Sequence, residues 1–201
     1  MILRLCIGEE KNELLKDIKP TIGFMNPPFG GSDNSKNPTK KEIQFLERML
    51  DNVSRYGIII APISTYFKEN SVRNRILSKH TLKYAINMPS ELFQPNASAI
   101  TSIAVFETNL PHDSKEVVFY DLKEDGLVLS KHKGRTDRYN KWNSTEKQLL
   151  QKLKETTKYE DNYNLVKCKI KKDDEWLIQA HSETDYSILN NKLFTTSIKK
   201  H

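Results

Sequence analysis

The chemistry of this chain concentrates in four consecutive residues, Asn26, Pro27, Pro28 and Phe29. Asparagine offers a side-chain oxygen that accepts hydrogen bonds. The proline after it offers a backbone oxygen at a fixed angle, because its ring locks φ. Two acceptors aimed at one point suit an NH₂ group, which has two hydrogens to donate. The exocyclic amine of adenine is such a group. Its lone pair is delocalised into the ring, and accepting both hydrogens favours the pyramidal form that can attack a methyl group. Pro28 stiffens the turn, and Phe29 adds a flat apolar face on which a flipped-out base can stack. Positioning accounts for much of such a reaction, because no strong base is needed before attack. The competing reading is a plain Pro-Pro loop with Asn26 as a turn residue.

The surrounding elements decide between the two. Thr21 to Met25 is a short apolar run ending in Asn-Pro-Pro, which reads as a buried strand emptying into a loop. Residues 30–38 are small or polar apart from Lys36. Thr39 and Glu42 then form a Thr-x-x-Glu capping box, and Ile43, Leu46, Leu50 and Val53 repeat at helical spacing. Gly57 closes that helix, and Ile58-Ile59-Ile60-Ala61 has the continuous apolar character of a strand covered on both faces. A second helix is predicted over Ser71 to Ser78, opened by Asn70, followed by strands over Leu82 to Asn87 and Ile100 to Phe106. Alternating strands and helices imply an open α/β sheet, in which ligands sit beyond the carboxyl ends of the strands. Asn26, Ser64 and the segment from Met88 to Asn96 all fall on that rim, so the strand-end position favours the pocket.

Composition changes after Pro111: no proline follows, and only two glycines do. Val117 to Asp121 and Leu127 to Leu129 are predicted to pair as a hairpin around Glu124-Asp125-Gly126, and Ser144 to Leu153 to form a helix. The expected division is therefore residues 1–115 as a catalytic half and 116–201 as a basic C-terminal extension of hairpin and helices.

The net charge of +6 is unevenly spread. From Lys131 to Lys172 there are 13 Lys and Arg against 5 Asp and Glu, a local excess of +8, which leaves the remainder slightly acidic. Such a block suits a phosphate-facing surface, with Arg135, Arg138 and Lys141 as candidate contacts; a solvated helical face is the equal alternative. A hydrophobic fraction of 37% with 29% charged residues suits a soluble globular chain, and no apolar run is long enough to cross a membrane. The N-terminus lacks the build of a signal peptide. Cys6 and Cys168 lie far apart, and the five histidines (His80, His112, His132, His181, His201) are scattered. A disulfide framework and a metal site are therefore not expected, the histidines are expected at the surface, and the cytoplasm is the expected compartment.

Thr21 to Gly31, TIGFMNPPFGG, resembles the catalytic motif of N-6 adenine-specific DNA methyltransferases, above all the modification subunits of type I and related restriction-modification systems. The resemblance implies that Asn26 and Pro27 hold the amine, with Pro28 shaping the corner, and that Phe29 stacks on the base. Met88 to Asn109, MPSELFQPNASAITSIAVFETN, resembles a later segment of the same family whose aromatic residue packs against the flipped base. That implies Phe93; simple core packing is the other reading of this residue. The implied fold is α/β, a partial Rossmann-like methyltransferase sheet with helices on its faces, plus a C-terminal α+β extension. The implied methyl donor is S-adenosylmethionine. The implied partners are double-stranded DNA and the specificity and restriction subunits.

One feature of the family is not matched. Its glycine-rich cofactor turn precedes the Asn-Pro-Pro motif, yet only 25 residues precede Asn26, and Gly8 is isolated among them. A fragment or half of a split enzyme is therefore expected, with S-adenosylmethionine gripped mainly elsewhere. The first apolar strand would then lie at a sheet edge, where it invites a homodimer, an N-terminal partner chain or a cap formed by residues 1–19. Two other functions stay open: a non-catalytic module binding DNA or subunits, and methylation of RNA guanine or protein glutamine, whose enzymes share Asn-Pro-Pro-aromatic motifs.

Overall fold

The computed structural model describes residues 18, 20–29, 41–94, 98–130, 133–184 and 186. Eight strands and four helices can be traced among them: β1 (Ile22–Met25), α1 (Lys41–Asn52), β2 (Tyr56–Pro62), α2 (Asn70–Lys79), β3 (Thr81–Asn87), β4 (Thr101–Glu107), β5 (Glu116–Asp121), β6 (Val128–Ser130), β7 (Gly134–Thr136), α3 (Trp142–Lys154), α4 (Thr156–Tyr159) and β8 (Leu165–Lys169). Six strands make one mixed sheet in the order β1-β2-β4-β3-β5-β8. β1 runs parallel to β2, and β3 parallel to β5, while β4 and β8 run against their neighbours.

The helix α1 forms where the apolar spacing expects it. Ile43, Leu46 and Leu50 are fully buried, and Val53 just beyond the helix almost so. Their stripe lies on the sheet over Gly23 and Gly57. A Cβ at Gly57 would come within 2.3 Å of Leu50, and one at Gly23 within 2.9 Å of Met49 and Val53, so these glycines set how closely helix and sheet approach. α2 buries Val72, Ile76 and Leu77 in the same core, which continues through Phe106 and Phe119 to Trp176 and Ile178 near the end of the described chain. On the opposite face Ile86, Val118, Tyr120 and Leu165 pack beneath Leu149 and Leu153 of α3 and Tyr159 of α4.

Two expectations are corrected. The segment Val117 to Asp121 does not pair with Leu127 to Leu129. As β5 it lies between β3 and β8, and the short hairpin forms instead between β6 and β7. Val117, Val118, Phe119 and Tyr120 are all buried, so β5 is apolar on both faces and belongs in a sheet interior rather than an exposed hairpin. The histidines are not uniformly at the surface, since His80 and His112 are buried. His80 closes α2, accepting the Asn109 amide on Nδ1 and facing Asp51 through Nε2 at 3.3 Å. The division expected between residues 115 and 116 falls between strands of a single sheet, because β5 and β8 extend the sheet started by β1 to β4. The helices sit on both faces, as an α/β sheet of this kind requires. Among the described residues no helix is long and apolar enough to cross a membrane.

Candidate functional site

The carboxyl ends of β1, β2 and β3 share one rim with the start of β4, because β4 runs against both β2 and β3. Asn87 at the end of β3 lies opposite Ser102, and Pro62 at the end of β2 lies opposite Thr101. Backbone bonds hold the loops there: Ile63 N–H donates to the Ile100 carbonyl and Met88 N–H to that of Thr101, each at 3.0 Å. Beneath them the Tyr66 hydroxyl donates to the Ser102 carbonyl at 2.8 Å, and Ser102 Oγ donates to the Ile86 carbonyl at 2.9 Å. Burial pushes the Tyr66 phenol far above its ordinary range, so it stays protonated as a donor. The rim therefore rests on a chain of buried bonds that ties the segment after β2 to β4 and β3.

Asn26 leaves β1 on this rim with its side chain exposed; Pro27 is buried, Pro28 exposed and Phe29 half-buried. The loop after β3 carries Phe93, also half-buried, in a pair of tight turns with Leu92 N–H bonded to the Pro89 carbonyl and Gln94 N–H to that of Glu91. The two phenylalanines meet. Their ring centroids lie 5.1 Å apart with the planes at 86°, an edge-to-face contact. The two aromatic positions singled out in the sequence are thus brought to one place by loops from different strands. Further along the rim Asp121 ends β5 beside Asn87, and burial raises its carboxyl above the ordinary carboxylate value. Asn87 Nδ2 donates to Gln179 at 2.9 Å, while its buried Oδ1 has no hydrogen-bond partner among the described residues.

The three basic candidates separate. Arg138 and Lys141 are exposed on the segment between β7 and α3, both within 5.9 Å of the Tyr139 ring, which is itself 59% exposed. Arg135 is not free: its side chain is 8% exposed, its Nη2 lies 2.5 Å from Asp125 Oδ1, and its Nη1 lies 3.6 Å from Glu91 Oε2. Glu91 and Asp125 lie in stretches that the sequence marks, the segment with Phe93 and the turn before Gly126, but nothing in their spacing says that both face Arg135. Tyr139, between Arg138 and Lys141, carries the one legible signal, an aromatic residue interleaved with cations.

The glycines test whether these residues can cradle a cofactor. Gly23 and Gly57 face α1 at contact distance; Gly126 lies in a bend of the extension and Gly134 opens β7, both with positive φ. None of them forms a glycine-rich turn after a strand on the rim, so the described residues do not fit the main grip on S-adenosylmethionine. Among the described residues no group of three His, Cys, Asp or Glu gathers to hold a metal ion.

Comparison with known proteins gives the fold and the family. The "Type II restriction enzyme and methyltransferase RM.BcgI" of Heyndrickxia coagulans is 27% identical over 199 residues, which cover 88% of this chain and 30% of the relative. The chain thus spans about a third of that relative's length. A type I restriction-modification methyltransferase subunit from Streptococcus thermophilus superposes with a TM-score of 0.61 at 15% identity, covering 81% of this chain and 38% of that one. A modification subunit of a putative type I restriction enzyme from Vibrio vulnificus gives 0.57 at 14% identity, covering 79% and 35%. At such identities the structural matches establish the shared fold. The description "N-6 DNA Methylase" fits residues 24–189, a span that starts just before Asn26 and includes the whole sheet beyond β1. This chain belongs to the N-6 DNA methylase family.

Proposed function

We propose that this chain is the base-holding part of an adenine-N6 DNA methyltransferase of a restriction-modification system. The observation that carries the reading is the contact of Phe29 with Phe93 at 5.1 Å, beside an exposed Asn26 on the strand-end rim. In an edge-to-face pair each ring keeps a face clear of the other, and a flipped adenine stacks on such a face. Asn26 Oδ1 and the Pro27 carbonyl accept the two amine hydrogens, and Pro28 fixes the corner. The nitrogen lone pair is thereby localised and aimed at the methyl donor. Electrostatic help of this kind needs no ionised base. The donor implied by the family is S-adenosylmethionine, gripped mainly by elements other than the described residues. When bound, it would supply an electrophilic methyl group.

Double-stranded DNA, specificity and restriction subunits, and a chain or segment carrying the cofactor turn are the partners that go with this reading, and the cytoplasm is the compartment. Arg138, Lys141 and the intervening Tyr139 supply a phosphate-facing edge. Arg135 drops out of that set in this arrangement. One observation favours a second reading, a non-catalytic module that keeps the pocket: none of the described glycines suits a cofactor turn.

Titration with S-adenosylmethionine and assays on duplex DNA decide between them. Both are run with the chain alone and with a cofactor-binding partner. N6-methyladenine formed only with wild-type Asn26 present is the expected result. Absence of cofactor binding in every combination supports the non-catalytic module. Methylation confined to ribosomal RNA or to a protein glutamine moves the substrate while keeping the pocket.

A further inference from the structure

We infer that Arg135 is a positioning residue for Phe93, acting through Glu91. Its consequence for catalysis rests on the base-holding reading above, but the contact itself does not. Glu91 lies two positions before Phe93 in the same tight turn, and its carboxylate is the second partner of the Arg135 guanidinium. The first partner, Asp125, is 4% exposed and also accepts the Leu127 N–H at 3.0 Å, so it is anchored in the extension. The guanidinium is a planar fork whose nitrogens have fixed relative directions. With Nη2 tied to Asp125, Nη1 points at Glu91. A side chain 8% exposed does not reach a phosphate without giving up Asp125.

Why the loop needs such a tie is visible beside it. A cleft of about 400 Å³ separates Pro89, Ser90 and Glu91 from the segment Lys123 to Val128. Loop and extension are therefore not packed flush, and the charged bridge spans the gap. Arg135 Nε is buried with no hydrogen-bond partner among the described residues, so the two carboxylates alone orient the group. The β6–β7 hairpin, which carries Arg135, thereby fixes where Phe93 stands relative to Phe29. A lysine in place of Arg135 keeps the charge and loses the fork.

The test places 4-fluorophenylalanine at position 93 of the full chain and reads its ¹⁹F resonance. The expected result is a single narrow line in the wild-type background that moves by more than its width in Glu91→Gln and in Arg135→Lys. The melting temperature of Glu91→Gln stays unchanged, because Glu91 is 55% exposed. A line that superimposes on wild type in Glu91→Gln overturns the proposal, and that variant decides alone if Arg135→Lys fails to fold. Phe29→Ala serves as the control that the line senses the neighbouring ring. In the complemented methylation assay Glu91→Gln is expected to lower kcat about 10-fold with KM for DNA unchanged. If wild type itself never methylates DNA, the base-holding reading fails while the ¹⁹F result still decides the role of Arg135.

Discussion

Phe29 and Phe93 stand edge to face at 5.1 Å although one follows β1 and the other follows β3, strands separated in the sheet by β2 and β4. Two half-buried rings meeting over a strand-end rim give stacking area without filling the core. Replacing either with Ala should therefore harm base capture more than folding. Stacking on an aromatic ring is worth about 1–3 kcal/mol per base, so a loss of roughly 5- to 150-fold is expected for each in the complemented enzyme. The fluorescence of 2-aminopurine at the target position checks it. Unaltered flipping in both variants removes the rings from the pocket.

Asn26 should separate chemistry from binding. Its side chain is exposed and strengthens its grip on the amine only as the nitrogen becomes pyramidal. Asn26→Ala is accordingly expected to lower kcat by about 10²–10³ while leaving the affinity for DNA unchanged. Single-turnover methylation beside a binding isotherm makes the comparison. A variant whose loss lies wholly in DNA affinity assigns Asn26 to docking instead.

What could be read beforehand was what local pattern controls. The stripe Ile43, Leu46, Leu50 and the run Ile58 to Ala61 located α1 and β2, because burial of one helical face and of both strand faces follows directly from residue spacing. The rim followed from those elements, and with it the shared location of Asn26 and Phe93. Non-local pairing was another matter. Nothing near β5 announces that β3 and β8 flank it, and the turn-like Glu124-Asp125-Gly126 suggested a hairpin that long-range packing overrules. Arg135 looked like a phosphate ligand for the same reason: its charge is legible, whereas burial against Asp125 and Glu91 belongs to the assembled chain. His80 and His112 are buried against the surface expectation, because a histidine closing a helix or packed under a loop carries no periodic mark.

Arg73 is expected to be the costliest single residue to lose outside the apolar core. It is 2% exposed, lies 5.6 Å from the Trp176 ring, and donates to the Lys68 carbonyl at 3.1 Å and to the carbonyl of Asp174. One guanidinium thus joins α2 to the loop that brings Trp176 under the sheet. Burial lowers its pKa, opposed by Glu175, Asp173 and Asp174, which favour the charge. Arg73→Ala should cost about 3 kcal/mol or more, since a buried guanidinium and its bonds to several backbone carbonyls are lost together. Urea unfolding measures it, and a cost below about 1 kcal/mol would show that the C-terminal loop holds without the clamp.

Stability should fall in mildly acidic solution through His80 and His112. Burial lowers both pKa values in the folded state below the ordinary 6.5, against the pull of Asp51 on His80 and helped by Lys115 beside His112. The unfolded chain then binds protons that the folded chain refuses. Stability is fully present above 6.5 and is lost as the pH falls from there through the lowered folded values. Urea midpoints taken between pH 8 and pH 5 should decline, and the double variant His80→Asn, His112→Leu should decline less steeply. Equal slopes would assign the acid sensitivity to other groups, among them the carboxyls of Glu116 and Asp161, which the folded state holds below their ordinary range.

β1 is the edge of the sheet, and its outer side has no strand partner among the described residues. Gly23 and Met25 face α1, so Ile22 and Phe24 point the other way, 58% and 68% exposed. An apolar strand with a free edge is a template for another strand. In the proposed function that strand comes from the part carrying the cofactor turn; in its absence the isolated chain is expected to pair with itself. Sedimentation over a concentration series should therefore show reversible dimerisation. Phe24→Lys should weaken it at least 10-fold, because a charge then replaces the most exposed ring on the strand. A wild-type chain that stays monomeric at high concentration, or a Phe24→Lys chain that dimerises equally well, would mean that residues outside the described set already cover this edge.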